Sequence, residues 1–357
     1  MSRRACARCL ARSWLLARLA GHLDCERAKL EPLLALDDED LIAAVGGRDR
    51  DRVAAELSQR RGETRRGEPG IESICRCEDQ YPARLRALPA PPAVLHVAGG
   101  LERLLASAEA DPVAVVGSRR ASAYGLQVAR SLAHGLASAG LTVISGMALG
   151  IDSAAHAGAL EAGPATLAVL PGPPDRAYPR EKRRLHGTIV EQGAVVSELA
   201  GQVAVRRWMF PARNRLIAGL AAMTVVVEAG ERSGALVTAR VAQELGRPVG
   251  AVPGRVTSRH AAGPHGLLAA GAHLVRGPQD VLDALFGAGV RTAGSDARPE
   301  LSPVQRRLLA AIEDGSATPD ALAQAGMDTD RGLAAMAELE LDGYVRRGSG
   351  GRFEVVP

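Results

Sequence analysis

The spacing of apolar residues divides the chain into segments of different character. From Pro112 to about residue 287, short runs rich in valine alternate with stretches in which apolar residues recur at helical spacing. Continuous apolar strands joined by amphipathic helices are typical of a parallel sheet that is covered on both faces. The pattern predicts a doubly wound, mostly parallel α/β sheet with about seven strands, namely VAVVG, TVIS, TLAVL, AVVS, TVVVEA, VGAVPG and HLVRG.

The segments on either side of this domain have their own patterns. Residues 1–65 show helical spacing and many arginines, and the polar stretch RRGETRRGEPG closes them, so we expect a helical N-terminal extension. The main domain then spans 66–287, and its proline-rich stretch YPARLRALPAPPAVLHVAGG is expected to be an extended approach to the α/β part. After a Gly/Ala/Ser-rich linker at 288–298, residues 299–357 show three helical stretches and a glycine-centred hairpin, which predict a winged-helix-like domain.

Composition and charge narrow the class of protein. The chain has 357 residues, 46% of them hydrophobic, and its apolar runs are too short to cross a membrane, so we expect a cytoplasmic protein. Residues 97–287 carry 19 basic and 14 acidic side chains, whereas residues 299–357 carry 6 and 10. Because phosphate contacts need positive charge, the acidic C-terminal unit favours protein interaction or a lost DNA role.

The five cysteines all lie in the first 77 residues. This odd number gives no disulfide framework. Cys6 and Cys9 have the spacing of metal ligands, but a zinc site needs a second pair, and only one residue separates Cys75 from Cys77. The sequence therefore favours structural or incidental cysteines, with no metal and no cofactor.

Polar residues follow the predicted strands at the points where they end. In an open parallel sheet, ligands bind at the carboxyl ends of the strands. We therefore expect one polar crevice, lined by Gly117-Ser118-Arg119, Ser145-Gly146, Pro171-Gly172, Ser197-Glu198 and Glu228-Ala229-Gly230.

The turn GSRRASAYG, which follows the first strand of this domain, has two interpretations. Its backbone N–H groups and Arg119 could receive a phosphate at the start of a helix near Ala123. Alternatively, Ser122 is an ordinary N-cap and the arginines are solvated. Neither GxGxxG nor a Walker lysine is found in the turn, so a dinucleotide or ATP hydrolysis is not expected.

The stretch VRRWMFPARNRLIAGL combines arginines with two of the nine aromatic residues of the chain. Pro211 suits the first turn of a helix, which places Arg213 and Arg215 where the helix dipole disfavours cations. Unless these arginines are simply solvated, an anion is expected there. Aromatic rings among arginines suit single-stranded nucleic acid, and we assign Phe210 to base stacking and Trp208 to the core.

Two further pairs are open to a functional interpretation. Asp152 and His156 stand four residues apart on one predicted helix face, which favours capping and hydrogen bonding over acid–base chemistry in the absence of a nucleophile or metal partner. Ser233 and Gly234 begin another predicted helix, where they could receive a phosphate or only cap the helix.

Seven motifs occur in order over about 160 residues. They are VAVVGSRRASAYG, VISGMALGIDSAAHAGAL, LAVLPGPPDRAYP, VSE, FPARNRLIAGL, VVVEAGERSGALVTARVAQELGRPVGAVPG and LLAAGA. Together they closely resemble the DNA-processing protein A (DprA, or Smf) family. The resemblance implies an extended Rossmann-like fold, a homodimer and no enzymatic activity. It also implies that the protein binds single-stranded DNA in natural transformation. There it would load the RecA recombinase on this DNA, displacing or bypassing single-strand-binding protein.

The resemblance also carries over site residues, motif by motif. The pocket arginine falls on Arg119 beside Gly117 and Ser118, the basic residue before the FPxRNR motif on Arg207, and the aromatic that contacts a base on Phe210. The RNR element is Arg213, Asn214 and Arg215. With the strand-end and helix-start residues, the predicted DNA-binding set is Gly117, Ser118, Arg119, Ser145, Gly146, Arg207, Phe210, Arg213, Asn214, Arg215, Ser233 and Gly234.

The sequence departs from the family pattern in one segment, and one alternative function is also considered. Where the family commonly has Gly-Gly after the third strand, this chain has Pro171-Gly172-Pro173-Pro174, which puts backbone contact with DNA there in doubt. The alternative is a Rossmann-like nucleotide-processing enzyme of the LOG phosphoribohydrolase type, but its PGGxGT element is not found.

Overall fold

The computed structural model describes residues 5–62, 69–163, 166–292, 301–315, 329–341, 344–348 and 352–355. The chain forms two compact units, Met1–Ala293 and Gly294–Pro357, and the division falls within the linker predicted at 288–298. The first unit holds both the N-terminal helices and the α/β domain.

The N-terminal extension is helical, as the spacing of its apolar residues predicts. Its helices are α1 (Ala7–Arg18), α2 (Ala20–Cys25), α3 (Leu30–Ala35), α4 (Asp38–Val45) and α5 (Arg50–Gly62). Their buried leucines form one core together with Trp208 and Met209, which lie in the α/β part of the chain. The extension is therefore packed against the α/β domain. No helix among the described residues is long and apolar enough to cross a membrane.

The α/β domain contains one nine-stranded sheet, in the order β1-β2-β6-β5-β4-β3-β7-β8-β9. The strands are β1 (Ile71–Cys75), β2 (Val94–Ala98), β3 (Val113–Val116), β4 (Val143–Ser145), β5 (Thr166–Val169), β6 (Ala194–Ser197), β7 (Met223–Val226), β8 (Val249–Ala251) and β9 (His273–Leu274). The seven predicted strands are β3–β9, and all the pairings among these seven are parallel. The two additional strands pair antiparallel and extend the sheet beyond β6.

Helices cover both faces of this sheet. They are α6 (Ala83–Arg86), α7 (Leu101–Glu109), α8 (Ala123–Ser138), α9 (Ile151–Ala162), α10 (Arg183–Gln192), α11 (Met209–Leu220), α12 (Gly234–Glu244), α13 (Ala262–Ala269) and α14 (Pro278–Phe286). Ala114 and Val116 of β3 join the core beneath α7, α11 and α12, whereas Val113 and Val115 join the core beneath α8, α9 and α14. The predicted doubly wound α/β fold is confirmed.

The second unit has the elements of the predicted winged-helix-like domain, as far as it is described. Helices α15 (Pro303–Glu313) and α16 (Thr329–Leu341) are followed by an antiparallel pair, β10 (Val345–Arg347) and β11 (Phe353–Val355). Ser302 and Gln305 form a capping box at the start of α15. The middle predicted helix, TPDALAQAG, lies outside the described residues.

A buried histidine connects the N-terminal helices to the sheet. His96 of β2 is 5% exposed, and its ring nitrogens lie 3.0 Å from the hydroxyl groups of Ser13 on α1 and Ser73 on β1. The Ser13 hydroxyl also donates to the carbonyl oxygen of Glu198, at 2.8 Å. Burial lowers the pKa of His96 from its ordinary value to about 4, because the charged imidazolium would lose its hydration.

We predict that His96→Gln reduces the loss of stability on acidification. Because the pKa of His96 is lower in the folded protein than in the unfolded chain, protonation of this histidine favours unfolding. The contribution of neutral His96 to the free energy of unfolding is therefore complete above pH 6.5 and is lost as the pH falls towards 4. Between pH 7 and pH 5 the wild-type free energy of unfolding should fall by about 2 kcal/mol more than that of the variant. Denaturant titrations at several pH values measure this difference.

The matched control is His273→Gln, because His273 lies exposed on β9. Its pH dependence should follow that of the wild type. An equal loss of stability in His96→Gln and wild type between pH 7 and pH 5 would contradict the role given to His96.

Candidate functional site

A crevice lies between the carboxyl ends of β3 and β7, at the topological switch point of the doubly wound sheet. These two strands are parallel neighbours, and the helices that follow them, α8 and α12, pack on opposite faces. A Cβ atom at Gly117 would lie 2.6 Å from Ile151 Cγ1 and 2.8 Å from the carbonyl oxygen of Glu228. The Ser118 N–H donates to that same carbonyl at 2.7 Å, so the turn after β3 is held tightly against the end of β7.

The start of α8 is occupied by a carboxylate of the protein itself. Ser122 is the N-cap and accepts a hydrogen bond from the Gly125 N–H at 3.1 Å. Its own N–H and hydroxyl donate to the two carboxylate oxygens of Glu228, at 2.8 and 2.5 Å. The geometry agrees with the capping interpretation of GSRRASAYG and not with a phosphate at this helix start, because Glu228 already takes the position of the anion.

Arg119 lies in the same turn but points to different surroundings. It is exposed, and its guanidinium carbon lies 4.8 Å from the centroid of the Phe210 ring, which comes from the first turn of α11. The Tyr178 ring lies 5.6 Å from that of Phe210, with 58° between the planes. A cation and two aromatic rings from three separate loops or helix ends thus form one cluster, which we call the Arg119–Phe210–Tyr178 cluster.

Tyr178 was not among the predicted site residues. It is 38% exposed, and it belongs to the motif PGPPDRAYP that follows β5. The signal that could have found it is the one used for Phe210: the chain has only four tyrosines, and this one follows a strand end of the predicted crevice.

The basic run before α11 divides into exposed and buried residues. Arg206 and Arg207 are exposed, whereas Trp208 is 1% exposed and its backbone N–H donates to Asp24 Oδ1 at 3.0 Å. The prediction that Trp208 belongs to the core is confirmed. Because Asp24 belongs to α2, the N-terminal extension fixes the backbone directly after Arg207.

Arg213 is buried inside the domain. Its Nη1 donates to the carbonyl oxygens of Gly146, at 2.6 Å, and Val169, at 2.7 Å, which lie at the ends of β4 and β5. Burial lowers its pKa to about 10, an effect that the carboxylate of Asp152 partly offsets and the charge of Arg119 increases. The Arg213 side chain therefore holds α11 against the sheet, and both of these partners are internal.

Arg215 has an anion partner from within the protein. Its Nη2 lies 2.7 and 2.6 Å from the two carboxylate oxygens of Glu198, and both side chains are about 10% exposed. Since α11 begins at Met209, Arg213 and Arg215 both lie in its second turn and not in the first turn as predicted. The anion expected from the sequence exists, but for Arg215 it is Glu198 and not a ligand.

The residues at the end of β4 are also internal. Ser145 is fully buried, and its hydroxyl donates to the carbonyl oxygen of Val115 at 2.7 Å. Gly146 is buried beneath Arg213, so closely that a Cβ atom would overlap the guanidinium group. Ser145 and Gly146 therefore support the crevice from inside the protein and are not exposed at its surface.

Asn214 and the start of α12 lie at the surface of the crevice. The Asn214 side-chain amide donates to the carbonyl oxygen of Gly234 at 3.2 Å. Ser233 is the N-cap of α12, and its hydroxyl accepts from the Ala235 N–H at 3.3 Å. Asn214 thus joins α11 to α12 across the end of the sheet, and the capping role of Ser233 is confirmed.

Asp152 and His156 are both buried and have separate partners. Asp152 Oδ2 accepts from the Ala148 N–H at 3.3 Å, and burial raises the pKa of its carboxyl group while the nearby Arg213 opposes the rise. His156 Nδ1 lies 2.7 Å from the Thr166 hydroxyl, and burial lowers the pKa of the imidazole to about 3. Both side chains therefore stabilise the packing of α9, in agreement with the predicted structural role.

The twelve predicted site residues thus separate into two groups. Ser145, Gly146, Arg213 and Arg215 are buried and hold the elements of the crevice together. The other eight, which are Gly117, Ser118, Arg119, Arg207, Phe210, Asn214, Ser233 and Gly234, are exposed or half-buried at the carboxyl edge of the sheet.

Comparison with known proteins supports the resemblance seen in the sequence. The family model described as "DNA recombination-mediator protein A" matches residues 72–286, which is more than half of the chain. The chain belongs to this family. A second model, "DprA winged helix domain", matches residues 293–351, so the predicted winged-helix domain is confirmed at the level of the family.

Individual relatives agree with the family match. The Protein Smf of Escherichia coli K12 is 38% identical over 280 residues, covering 76% of this chain and 74% of that protein. The X-ray structure of DprA from Streptococcus pneumoniae is similar with a TM-score of 0.62 and 31% identity, covering 79% of this chain and 99% of that chain. A Helicobacter pylori structure, described as giving insights into the "single-stranded DNA binding mode" of DNA processing protein A, has a TM-score of 0.54 and 29% identity and covers 60% of this chain and 95% of that chain.

We predict that Arg215→Ala destabilises the protein strongly. The substitution leaves the buried Glu198 carboxylate without its cation, and breaking a buried pair in this way costs about 3–5 kcal/mol. Arg207→Ala is the matched control, because Arg207 is exposed and its loss should change the free energy of unfolding by less than about 0.5 kcal/mol. Urea unfolding measures both values. Equal, small effects of the two substitutions would contradict the structural role of Arg215.

Proposed function

We propose that the carboxyl edge of the sheet binds single-stranded DNA, and that the protein acts as a recombination mediator that loads RecA on this DNA. The observation that carries the proposal is the Arg119–Phe210–Tyr178 cluster. An exposed guanidinium group beside two aromatic rings offers a contact for a phosphate and a stacking surface for bases. The family membership and the single-stranded DNA binding described for the Helicobacter pylori relative support the same ligand.

The charges around the cluster also favour a nucleic acid backbone. Among the described residues, neither Arg119 nor Arg207 forms an ion pair with a carboxylate, whereas Arg215 is paired internally. Of these three arginines, the two without an ion pair lie at the surface and the paired one lies inside. Asn214, Ser233 and Gly234 continue the polar surface along the starts of α11 and α12, and we propose that they contact the same strand.

The four buried residues of the predicted site have an indirect role in this proposal. Arg213, through Gly146, and Arg215, through Glu198, position α11, which carries Phe210, and Ser145 joins β4 to β3. We assign these four residues a supporting role and no direct contact with DNA. Gly117 and Ser118 hold the turn that carries Arg119.

We further propose that the protein acts without enzymatic chemistry of its own. A nucleotide-processing enzyme of the LOG type would need a phosphate site at the glycine-rich crevice, and Glu228 occupies the helix start there. The segment Pro171-Gly172-Pro173-Pro174 is buried after β5 and differs from the PGGxGT element. An assay that detected turnover of a nucleoside monophosphate would contradict this proposal.

The partners follow from the family resemblance. A mediator that works as a homodimer would place two such edges side by side, and it would hand the bound strand to RecA in competition with single-strand-binding protein. These expectations concern DNA uptake and recombination, and they depend on the single-strand site proposed above.

We predict that Arg119→Ala and Arg207→Ala each weaken binding to oligo(dT) and also reduce its salt dependence. Each lost phosphate contact should lower the slope of log affinity against log salt by about 0.7 to 1. Arg240→Ala is the control, because Arg240 is exposed on α12 and paired with Glu244 away from the cluster. Fluorescence anisotropy at several salt concentrations measures the slopes, and tighter binding to duplex than to single-stranded DNA would overturn the proposal.

The aromatic residues should behave differently in the same titrations. Phe210→Ala and Tyr178→Ala should each reduce affinity by roughly 1–3 kcal/mol per lost stacked base, with little change in the salt slope, because stacking is lost and charge is kept. A fall in slope as large as that of Arg119→Ala would show that the ring acts only by holding the guanidinium.

We predict that the wild-type protein speeds RecA filament formation on single-stranded DNA coated with single-strand-binding protein. Arg119→Ala/Phe210→Ala should lose this effect together with DNA binding. Filament growth can be followed by the fluorescence of labelled RecA. Normal DNA binding by the wild type without any acceleration would contradict the loading function and leave the DNA site intact.

A further inference from the structure

Four of the five cysteines converge at the junction of the N-terminal extension and the sheet. Cys6 is the N-cap of α1 and Cys9 lies in its first turn, while Cys75 ends β1 and Cys77 follows two residues later. The four Sγ atoms all lie within 4.8 Å of one another, and those of Cys9 and Cys77 are 3.6 Å apart. The spacing of Cys75 and Cys77, which argued against a second ligand pair, therefore does not prevent the four thiols from meeting.

The distances suit a single tetrahedral ion. Zinc bound by four thiolates at about 2.3 Å places the sulfur atoms about 3.8 Å apart, close to the arrangement found. A disulfide would need a sulfur–sulfur distance of about 2.05 Å, and the four cysteines are free thiols. Iron–sulfur clusters contain bridging sulfides between several irons, so they hold their thiolates further apart than a single ion does.

The surroundings of the thiols suit a closed structural site. Ala5, Ala93 and Val94 are buried around Cys9 and Cys75 and form a small apolar cluster with them. A structural zinc site has all four positions filled by protein ligands and needs no access for a substrate.

A neighbouring arginine fixes the turn that carries the second pair. The Arg86 guanidinium donates to the carbonyl oxygens of Arg76, at 2.7 Å, and Glu78, at 2.5 Å, on either side of Cys77. The Glu78 N–H donates to the carbonyl oxygen of Cys75 at 2.9 Å and closes the same turn. Arg86 therefore both orients the ligand loop and supplies positive charge beside a group that carries two net negative charges when zinc is bound.

We propose that Cys6, Cys9, Cys75 and Cys77 bind one zinc ion that fastens the N-terminal helices to the edge of the sheet. Zinc joins residues that are about 70 positions apart in the chain, and its binding energy contributes to folding because the site does not exist in the unfolded chain. The extension held in this way packs against Trp208 and Met209 at the start of α11. The site is separate from the DNA surface and does not depend on the function proposed for it.

The test is the zinc content of the full-length protein, purified under reducing conditions with zinc in the medium. Mass spectrometry of the metal should find about one zinc per chain in the wild type and in Cys25→Ser, since Cys25 lies outside the cluster and is exposed. The double variant Cys75→Ser/Cys77→Ser should hold less than about one tenth of this amount. Zinc-free wild type, or an equal zinc content in the double variant, would overturn the proposal, as would iron in place of zinc.

A second measurement covers the possibility that the double variant does not fold. In the zinc-bound wild type, a thiol reagent should react rapidly with Cys25 alone, although Cys77 is also exposed. After treatment with a strong chelator all five thiols should react, and the melting temperature should fall by about 5 °C or more. Rapid reaction of Cys77 in the presence of zinc, or a melting temperature unchanged by the chelator, would contradict the site.

Discussion

The anchoring of α11 to the carboxyl ends of three strands is the constraint on which the candidate site depends. Arg213 donates to the carbonyl oxygens at the ends of β4 and β5, and Arg215 pairs with Glu198 directly after β6. Two buried cations must have internal partners, because a buried guanidinium without one would cost several kcal/mol. This requirement fixes the axis of α11, and with it the position of Phe210 beside Arg119.

A second carboxylate determines what the crevice can accept. Doubly wound sheets commonly bind a nucleotide phosphate at the helix start beside the switch point, but here Glu228 of the neighbouring loop hydrogen-bonds to Ser122 at that position. The crevice therefore has the glycine turn of a nucleotide-binding fold, but the Glu228 carboxylate of the protein itself occupies the position of the anion. Positive charge remains available further out, on exposed residues such as Arg119 and Arg207, where an extended polyanion can reach it.

Sequence patterns predicted the parts of the fold that depend on local periodicity. The strands β3–β9 were found because each is a continuous apolar run, whereas β1 and β2 lie in a proline-rich and polar context that conceals their pairing. The arginines of α11 could be located but not assigned to partners, since their anion and carbonyl partners come from distant strand ends. Tyr178 and the meeting of the four cysteines were missed for the same reason: both depend on contacts between segments far apart in the chain.

The N-terminal extension contributes directly to the geometry of the site. Asp24 of α2 accepts a hydrogen bond from the backbone N–H of Trp208, and the core of the extension includes Trp208, Met209 and Ala212 at the start of α11. The sheet supports α11 from one side through Arg213, and the extension supports it from the other. Because Phe210 lies between Met209 and Ala212, any displacement of the extension would move the ring relative to Arg119. The helices before residue 63 are therefore part of the structural support of the proposed DNA-binding edge and not a separate appendage.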